Sequence, residues 1–180
     1  MDTFVVFLKG VNIGGHNRVK MDVLKKALTE LRFERVKTYI NSGNLILQSK
    51  QGKEKIVDQV AQVIRTNFGI NVNMIIKTAN ELTDIAEKSP FSAETECDYD
   101  KRAVVMLSER VDPVQLQVFK DEGKVSENYY LTDDLLFVYY HNGFAKTKLT
   151  SDYIERKLRV ITTARNWNTI LKLRDMIRNE

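Results

Sequence analysis

Three glycines lie between an apolar run and an amphipathic segment near the start of the chain, in the stretch Lys9-Gly-Val-Asn-Ile-Gly-Gly15. Glycines in a strand-to-helix connection let backbone N–H groups approach a phosphate, and a helix N-terminus attracts anions. The spacing fits neither G-x-G-x-x-G nor a P-loop, and a tight connection that needs positive φ values is the commoner reason for such glycines. The predicted anion site consists of Lys9, Asn12, Gly14, Gly15 and Lys20, flanked by Asn17 and Arg18.

A second polar stretch, Tyr39-Ile-Asn-Ser-Gly-Asn44, separates two short strand-like runs. A serine nucleophile needs a base, and neither His16 nor His141 has a recognisable partner in the sequence. Ser-Gly is ordinary turn chemistry, so this stretch is predicted to form the tip of a hairpin. We predict that Ser42 and Asn44 orient a ligand through hydrogen bonds from this tip.

A third stretch, Thr162-Thr-Ala-Arg-Asn-Trp-Asn168, precedes the last helical segment and holds the single tryptophan. Arg165 beside Trp167 could pair with a phosphate while the indole stacks on a base. The alternative is a helix start, with Asn166 or Asn168 as the cap and the indole in the core. The residues predicted to bind a ligand here are Arg165, Asn166 and Trp167.

Other stretches have weaker chemical interpretations. Lys146-Thr-Lys148 follows an aromatic run, but solvated loop lysines are the commoner explanation of such a pattern. Two histidines and one cysteine cannot supply a zinc site at the usual spacing. The carboxylates around Cys97, at Glu94, Glu96, Asp98 and Asp100, lack the glycine and spacing of a calcium loop and disfavour a reactive thiolate at Cys97. We therefore predict no metal and no cofactor.

The net charge is +4, and its distribution along the chain is uneven. Residues 1–78 carry a net charge of +7, residues 79–134 of −8 and residues 135–180 of +5. Mutual attraction between basic and acidic parts is the simpler interpretation. The alternative is a basic cleft for an anionic ligand, formed where the two basic ends of the chain meet.

Hydrophobic periodicity predicts strands at 3–9, 35–40, 45–48 and 71–77, and helices at 21–31 and 53–68. Gly69 is expected to stop the second helix. The resulting order, strand-helix-strand-strand-helix-strand, is the ferredoxin-like βαββαβ arrangement. This fold supports many unrelated functions, so it does not indicate a chemistry.

The second half partly repeats this pattern. Helices are predicted at 79–87, 113–119, 151–158 and 168–177, and strands at 103–107, 124–131 and 135–140. No strand is evident after the last hairpin, so this half is expected to be an incomplete or rearranged copy. The predicted fold class is α+β, with a ferredoxin-like domain at 1–78 and a second, related α/β domain at 79–180 packed against it.

Three segments together resemble an uncharacterised bacterial family of unknown function, DUF1697. They are Leu8-Lys-Gly-Val-Asn-Ile-Gly-Gly15 with Val19-Lys-Met21, Thr38-Tyr-Ile-Asn-Ser-Gly-Asn-Leu45, and Thr163-Ala-Arg-Asn-Trp-Asn-Thr-Ile-Leu-Lys-Leu173. The resemblance covers nearly the whole chain, including Lys146-Thr-Lys-Leu149. It implies a stand-alone α+β protein of this length, and it supplies no substrate, cofactor or catalytic residue.

The first hypothesis for function is a binding module for a phosphate-bearing ligand, either a nucleotide or a nucleic acid, in a basic cleft built from the three segments. The second is a metal-independent enzyme acting on a small anionic substrate with His16 or His141, and the third is a protein-interaction or oligomeric scaffold. The N-terminus has no basic signal segment and the apolar runs are too short for a membrane span, so a cytoplasmic protein with no membrane partner is expected.

Overall fold

A computed structural model describes residues 1–91, 98–122 and 127–179. Cys97 and the carboxylates Glu94 and Glu96 lie outside these residues. Within the described ranges the chain forms eight β-strands and six α-helices. Their order is β1 (Asp2–Leu8), α1 (Met21–Glu30), β2 (Glu34–Tyr39), β3 (Asn44–Ser49), α2 (Lys53–Phe68), β4 (Met74–Thr78), α3 (Ala79–Glu87), β5 (Arg102–Leu107), α4 (Pro113–Glu122), β6 (Asn128–Leu131), β7 (Leu135–Tyr139), α5 (Ser151–Leu158), β8 (Thr162–Asn166) and α6 (Trp167–Arg178).

The chain divides into two compact units. The first unit comprises Met1–Ile85 together with Leu173–Glu180, and the second comprises Ala86–Lys172. In the described residues, each unit contains one four-stranded antiparallel sheet with helices, which confirms the predicted α+β class and the two related halves. The predicted domain boundary between residues 78 and 79 stays a prediction.

The sheet of the first unit has the strand order β2-β3-β1-β4. With α1 between β1 and β2 and α2 between β3 and β4, this is the ferredoxin-like arrangement predicted from the sequence. Val6 is paired with Leu45 on one side and with Ile76 on the other. Helix α2 ends at Gly69, which has a φ of 69° in the left-handed region, so glycine stops this helix as expected.

One hydrophobic core joins the sheet to α1 and α2. Alternate residues of the central strand β1 face these helices, because successive side chains of a strand point to opposite faces. The helices contribute apolar residues at three- and four-residue spacing. The buried members of this core include Phe4, Val6, Leu8, Leu24, Leu28, Leu45, Leu47, Ile56, Val60 and Ile64.

The sheet of the second unit has the order β6-β7-β5-β8, the same arrangement as the first. The expectation of an incomplete or rearranged copy is therefore wrong, because Thr162–Asn166 forms the fourth strand, pairs with β5 and completes the same order. Its sequence, Thr-Thr-Ala-Arg-Asn, has no apolar run, and it pairs with a single neighbour at one end of the sheet order. The strand is held by polar contacts, including the backbone N–H of Thr162, which donates to Glu155 Oε1 at 2.6 Å.

Most predicted element boundaries agree with the structure within a few residues. Helices 53–68, 79–87 and 151–158 have the predicted ends. The predicted strand at 124–131 starts among residues outside the described ranges, and strand β6 is observed from Asn128. In the part of the chain that the structure describes, no helix is long and apolar enough to cross a membrane.

Candidate functional site

The glycine-rich stretch forms a narrow turn between β1 and α1. The backbone N–H of His16 donates to the carbonyl of Ile13 at 3.0 Å, which closes a four-residue turn. Its two central residues, Gly14 and Gly15, have φ values of 57° and 82°. Positive φ at both central positions is typical of a type I′ turn, in which glycine is favoured. The glycines are therefore explained by backbone conformation, which was the commoner of the two interpretations of this stretch.

The side chain of Asn12 holds this turn in place. Its Oδ1 accepts a hydrogen bond from the backbone N–H of Val19 at 2.8 Å, and its Nδ2 donates to the carbonyl of Val19 at 2.9 Å. The same Nδ2 donates to the carbonyl of Asn41 at 2.7 Å. Both protons of the amide are thus used within the protein. Asn12 links the glycine turn, the segment leading into α1 and the β2–β3 hairpin tip.

The tip of the β2–β3 hairpin packs closely on the end of β1. The backbone N–H of Leu8 donates to the carbonyl of Gly43 at 2.8 Å. Gly43 has a φ of 78°, and a Cβ placed there would lie 2.5 Å from Val11 Cγ2. The fully buried side chain of Asn44 donates to the carbonyl of Tyr39 and to Ser42 Oγ, each at 3.0 Å. The amide of Asn44 therefore stabilises the tip.

The two turns border a hollow of about 560 Å³ at the start of α1. We call it the α1 hollow. This volume lies within the range of small-molecule sites, roughly 300–1,000 Å³. Three residues of the predicted site, Asn12, Gly15 and Lys20, belong to its lining. The full lining consists of Asn12, Gly15, Arg18, Val19, Lys20, Met21, Asp22 and Asn41.

The charges of the α1 hollow come from three exposed side chains, those of Arg18, Lys20 and Asp22. Val19, between the two cations, is buried in the hydrophobic core. Arg18 and Lys20, on either side of Val19 in the sequence, are both exposed and both belong to the lining. Lysine has no acceptor atom, so the side chain of Lys20 cannot cap the first N–H groups of α1. The hollow thus combines two cations with one carboxylate.

The predicted residues of the third stretch lie in the second unit. Arg165 is 8% exposed, and its guanidinium donates through Nη1 to Thr163 Oγ1 at 2.8 Å. Burial lowers the pKa of Arg165 to about 10 because water no longer solvates the charge. Trp167 is 4% exposed and packs on Phe137, with 6.4 Å between ring centroids.

Asn166 caps the last helix. Its Oδ1 accepts a hydrogen bond from the backbone N–H of Asn168 at 2.8 Å, and its Nδ2 donates to the carbonyl of Asp100 at 3.3 Å. The alternative given for this stretch, a helix start with an asparagine cap, is confirmed for Asn166. The predicted ligand contacts of Arg165, Asn166 and Trp167 stay predictions.

The two histidines occupy different surroundings. His16 is exposed in the glycine turn, and His141 is exposed with its ring edge-to-face on Tyr139 at 4.8 Å. The hydroxyl of Tyr139 donates to Asp98 Oδ2, and this hydrogen bond lowers the pKa of Asp98 and raises that of Tyr139. In the described ranges, no group of three or more His, Cys, Asp or Glu side chains is placed to hold a metal ion.

Sequence reasoning found part of the α1 hollow and missed part. The sequence places Arg18 beside the predicted site and Asn41 in the predicted hairpin tip, but it assigns no ligand contact to Asn41 or to Asp22. The sequence Arg18-Val19-Lys20 has an apolar residue between two cations directly before a helix. This pattern predicts that the two cations lie on the same side of the chain. The place of Asn41 in the lining is harder to predict. It is held there by the hydrogen bond from Asn12 to its backbone carbonyl, which joins distant parts of the sequence.

Comparisons with known proteins concern both the sequence and the fold of the chain. A family model described as "Protein of unknown function (DUF1697)" matches residues 1–137. The chain belongs to the DUF1697 family. The conserved bacterial protein SP0830 from Streptococcus pneumoniae has a similar structure, with a TM-score of 0.74 and 23% sequence identity. The alignment covers 97% of this chain and 98% of that chain, so the similarity of fold extends over both units. No curated protein matches the sequence.

Proposed function

We propose that the protein binds a phosphate-bearing ligand, a nucleotide or a nucleic acid, in the α1 hollow. The observation that carries this proposal is the presence of Arg18 and Lys20 in the lining of one hollow at the start of a helix. A guanidinium provides paired donors for phosphate oxygens, and an ammonium provides a compact positive charge. Both side chains are exposed, so they can reach an anion without first breaking the core.

The surrounding structure favours binding to a prepared site. Asn12 fixes the glycine turn to the hairpin tip through the carbonyl of Asn41, and Val19 anchors the segment between the two cations. A ligand that arrives at this hollow meets cations whose backbone is already held in place, so less conformational entropy is lost on binding. The N–H groups of the first turn of α1 add positive potential on the same side.

The test is a thermal-shift and gel-shift screen of phosphate ligands against the protein and a double variant, Arg18→Glu with Lys20→Glu. The ligands are pyrophosphate, nucleoside mono- and triphosphates, and a short single-stranded oligonucleotide. We expect stabilisation or retardation with at least one ligand, weaker at about 150 mM salt than at about 20 mM, since exposed charges are screened. The double variant is expected to lose the effect.

The matched control is Lys55→Glu with Lys50→Glu, which makes the same change in net charge at exposed positions that do not line the α1 hollow. This control should keep ligand binding. Binding that is unchanged by salt and by the Arg18 and Lys20 reversals would remove the α1 hollow as the site, as would equal losses in the control and the test variants.

A further inference from the structure

Two exposed isoleucines are next in sequence to residues that line the α1 hollow. Ile13, at the first position of the glycine turn, is 65% exposed, and Ile40, at the hairpin tip, is 50% exposed. They are adjacent in sequence to Asn12 and Asn41, respectively, which are joined by the 2.7 Å hydrogen bond. The isoleucines are thus brought to neighbouring turns although they are far apart in the chain. We call this pair of isoleucines the apolar edge; each is the chain neighbour of a residue that lines the hollow, although neither isoleucine belongs to the lining itself.

The carboxylate of Asp22 adds a second chemical requirement. It lines the α1 hollow together with Arg18 and Lys20, and it repels a bare anion. A ligand that fits all three groups carries an anionic end and also a hydroxyl or amino donor for the carboxylate. An apolar part of the same ligand would cover Ile13 and Ile40, whose exposure to water is otherwise unfavourable.

We infer that the ligand of the α1 hollow is a single nucleotide, with its phosphate at Arg18 and Lys20, a sugar hydroxyl or base amino group on Asp22, and its base against Ile13 and Ile40. This inference rests on the proposed function and specifies its ligand. A nucleotide has the three chemical parts that the surroundings of the hollow require, in one molecule of suitable size.

The same features favour a single nucleotide over a nucleic acid strand. The hollow has the volume of a small-molecule site, and two cations line it. Proteins that bind single strands use a continuous basic groove with aromatic side chains on which successive bases stack. Among the described residues, the lining of the α1 hollow contains no aromatic side chain, and the apolar edge is aliphatic.

Isothermal titration with three probes separates these requirements. The probes are adenosine 5′-monophosphate, adenosine and pyrophosphate, each titrated into the full chain at low salt. We expect the nucleotide to bind at least about tenfold more tightly than either of the other two, because adenosine lacks the phosphate and pyrophosphate lacks both the donor for Asp22 and the base. A single-stranded oligonucleotide serves as the fourth probe and is expected to bind no more tightly, per site, than the mononucleotide.

Two variants test the assigned roles. Ile13→Ser with Ile40→Ser is expected to weaken nucleotide binding about tenfold and to leave pyrophosphate binding unchanged. Leu31→Ser is the control, since Leu31 is a 44% exposed apolar residue of the first unit outside the lining. Asp22→Asn is expected to weaken nucleotide binding, because a neutral amide oxygen is a weaker acceptor for the hydroxyl or amino donor than a carboxylate. It is expected to tighten pyrophosphate binding, because the repulsive charge is removed. Asp58→Asn, an exposed change on α2, should affect neither ligand.

The results distinguish this inference from the proposed function. Pyrophosphate binding as tight as nucleotide binding, or an Asp22→Asn variant that tightens both ligands, overturns the nucleotide assignment and leaves a general phosphate site. Tighter oligonucleotide binding with a steeper salt dependence overturns it in favour of a nucleic acid strand. Failure of every probe to bind, with no effect of the Arg18 and Lys20 reversals, rejects the proposed function itself.

Discussion

The two units share a strand order but differ in how the first strand leads into the first helix. In the first unit, β1 and α1 are joined by residues 9–20, which include the glycine turn. In the second unit, β5 and α4 are joined by residues 108–112. The shorter connection ends in an ordinary cap, since Asp112 Oδ1 accepts from the backbone N–H groups of Val114 and Gln115 at 2.9 and 3.3 Å.

In both units, nevertheless, an equivalent backbone hydrogen bond joins the end of this strand to the tip of the following hairpin. Leu8 N–H donates to the carbonyl of Gly43 at 2.8 Å, and Leu107 N–H donates to the carbonyl of Asp134 at 3.0 Å. This hydrogen bond is therefore a feature of the fold that both units share. The second unit shows that five residues are enough to connect the strand to the helix. The extra residues of the first unit, with their exposed cations, are what distinguish it, and this difference supports a binding role for the α1 hollow.

The largest effect is expected from Gly43→Ala. The added Cβ would lie 2.5 Å from Val11 Cγ2 and 2.7 Å from Leu8 Cβ, at a φ of 78° that alanine disfavours. We expect the free energy of unfolding of the first unit to fall by about 2–4 kcal/mol. Hydrogen exchange of the amides in β1 and β3 measures this loss, since these strands form the centre of its sheet.

Gly69→Ala is the matched control for Gly43→Ala. Its φ of 69° is similar, but a Cβ there would meet no described atom within 4 Å. The cost should be about 1–2 kcal/mol, from backbone conformation alone. Equal losses for the two variants would show that the tip is not closely packed on β1 and would weaken the comparison between the units.

The next effect is expected from Asn12→Gly, which removes the side chain but tolerates the φ of 57° at this position. The backbone N–H and carbonyl of Val19 and the carbonyl of Asn41 lose their partner. We expect a loss of about 1–3 kcal/mol in stability of the first unit, together with weaker ligand binding at the α1 hollow. Chemical unfolding and titration with the best ligand of the screen measure the two effects.

The corresponding change in the second unit is Asp112→Ala. It removes the cap of α4 and should cost about 1 kcal/mol, as loss of a helix N-cap does. Ligand binding should be unchanged, because Asp112 belongs to the short connection and does not line the α1 hollow. If this variant impaired ligand binding as much as Asn12→Gly did, the longer connection of the first unit would no longer be supported as the part of the fold that binds the ligand.

The smallest effect concerns acid stability and the carboxylate of Glu81. Burial raises its pKa, but hydrogen bonds from Lys53 and from the backbone N–H of Thr78 together outweigh burial and leave the pKa below its ordinary value of 4.5. A lowered folded pKa contributes stability at pH values above 4.5 that is lost as the pH falls through the folded pKa. The pair is partly exposed, so its contribution is a few tenths of a kcal/mol to about 1 kcal/mol.

Glu81→Gln should remove this contribution. We expect lower stability at neutral pH and a shallower loss of stability below pH 4.5 than in the parent protein, as measured by urea unfolding across that range. Glu54→Gln, an exposed acid in the first turn of α2, is the control for general charge effects. A parent-like acid profile in Glu81→Gln would show that Lys53 and Thr78 do not stabilise the charged form.

The sequence predicted the elements that have strong periodicity and missed those held by polar contacts. Helix α2 was predicted with its correct ends because Ile56, Val60 and Ile64 repeat on one face and Gly69 stops it. Strand β8 was missed because Thr162 and its neighbours resemble a loop, and the contact with Glu155 that holds them cannot be read from local residues.

The candidate site was likewise predictable where it depends on local residue types and unpredictable where it depends on distant polar contacts. Glycines and cations identified the stretch before α1, since their chemistry is local. The hydrogen bond from Asn12 to Asn41 spans 29 residues of sequence and is accepted by a backbone carbonyl, which any residue type could supply. Such a contact leaves no compositional pattern, so the hairpin tip could be proposed as a neighbour of the glycine turn but could not be placed there by sequence alone.

The division of the chain into units has a consequence for biosynthesis. The first unit includes Leu173–Glu180 as well as Met1–Ile85. A ribosome therefore releases the last piece of the first unit only after the whole of the second has been made. Domains made of one continuous segment can finish folding while translation continues. Here β1 to β4 can assemble early, but their unit is completed only once residues 173–180 have been synthesised, so a chain truncated before Leu173 would yield a first unit without that segment.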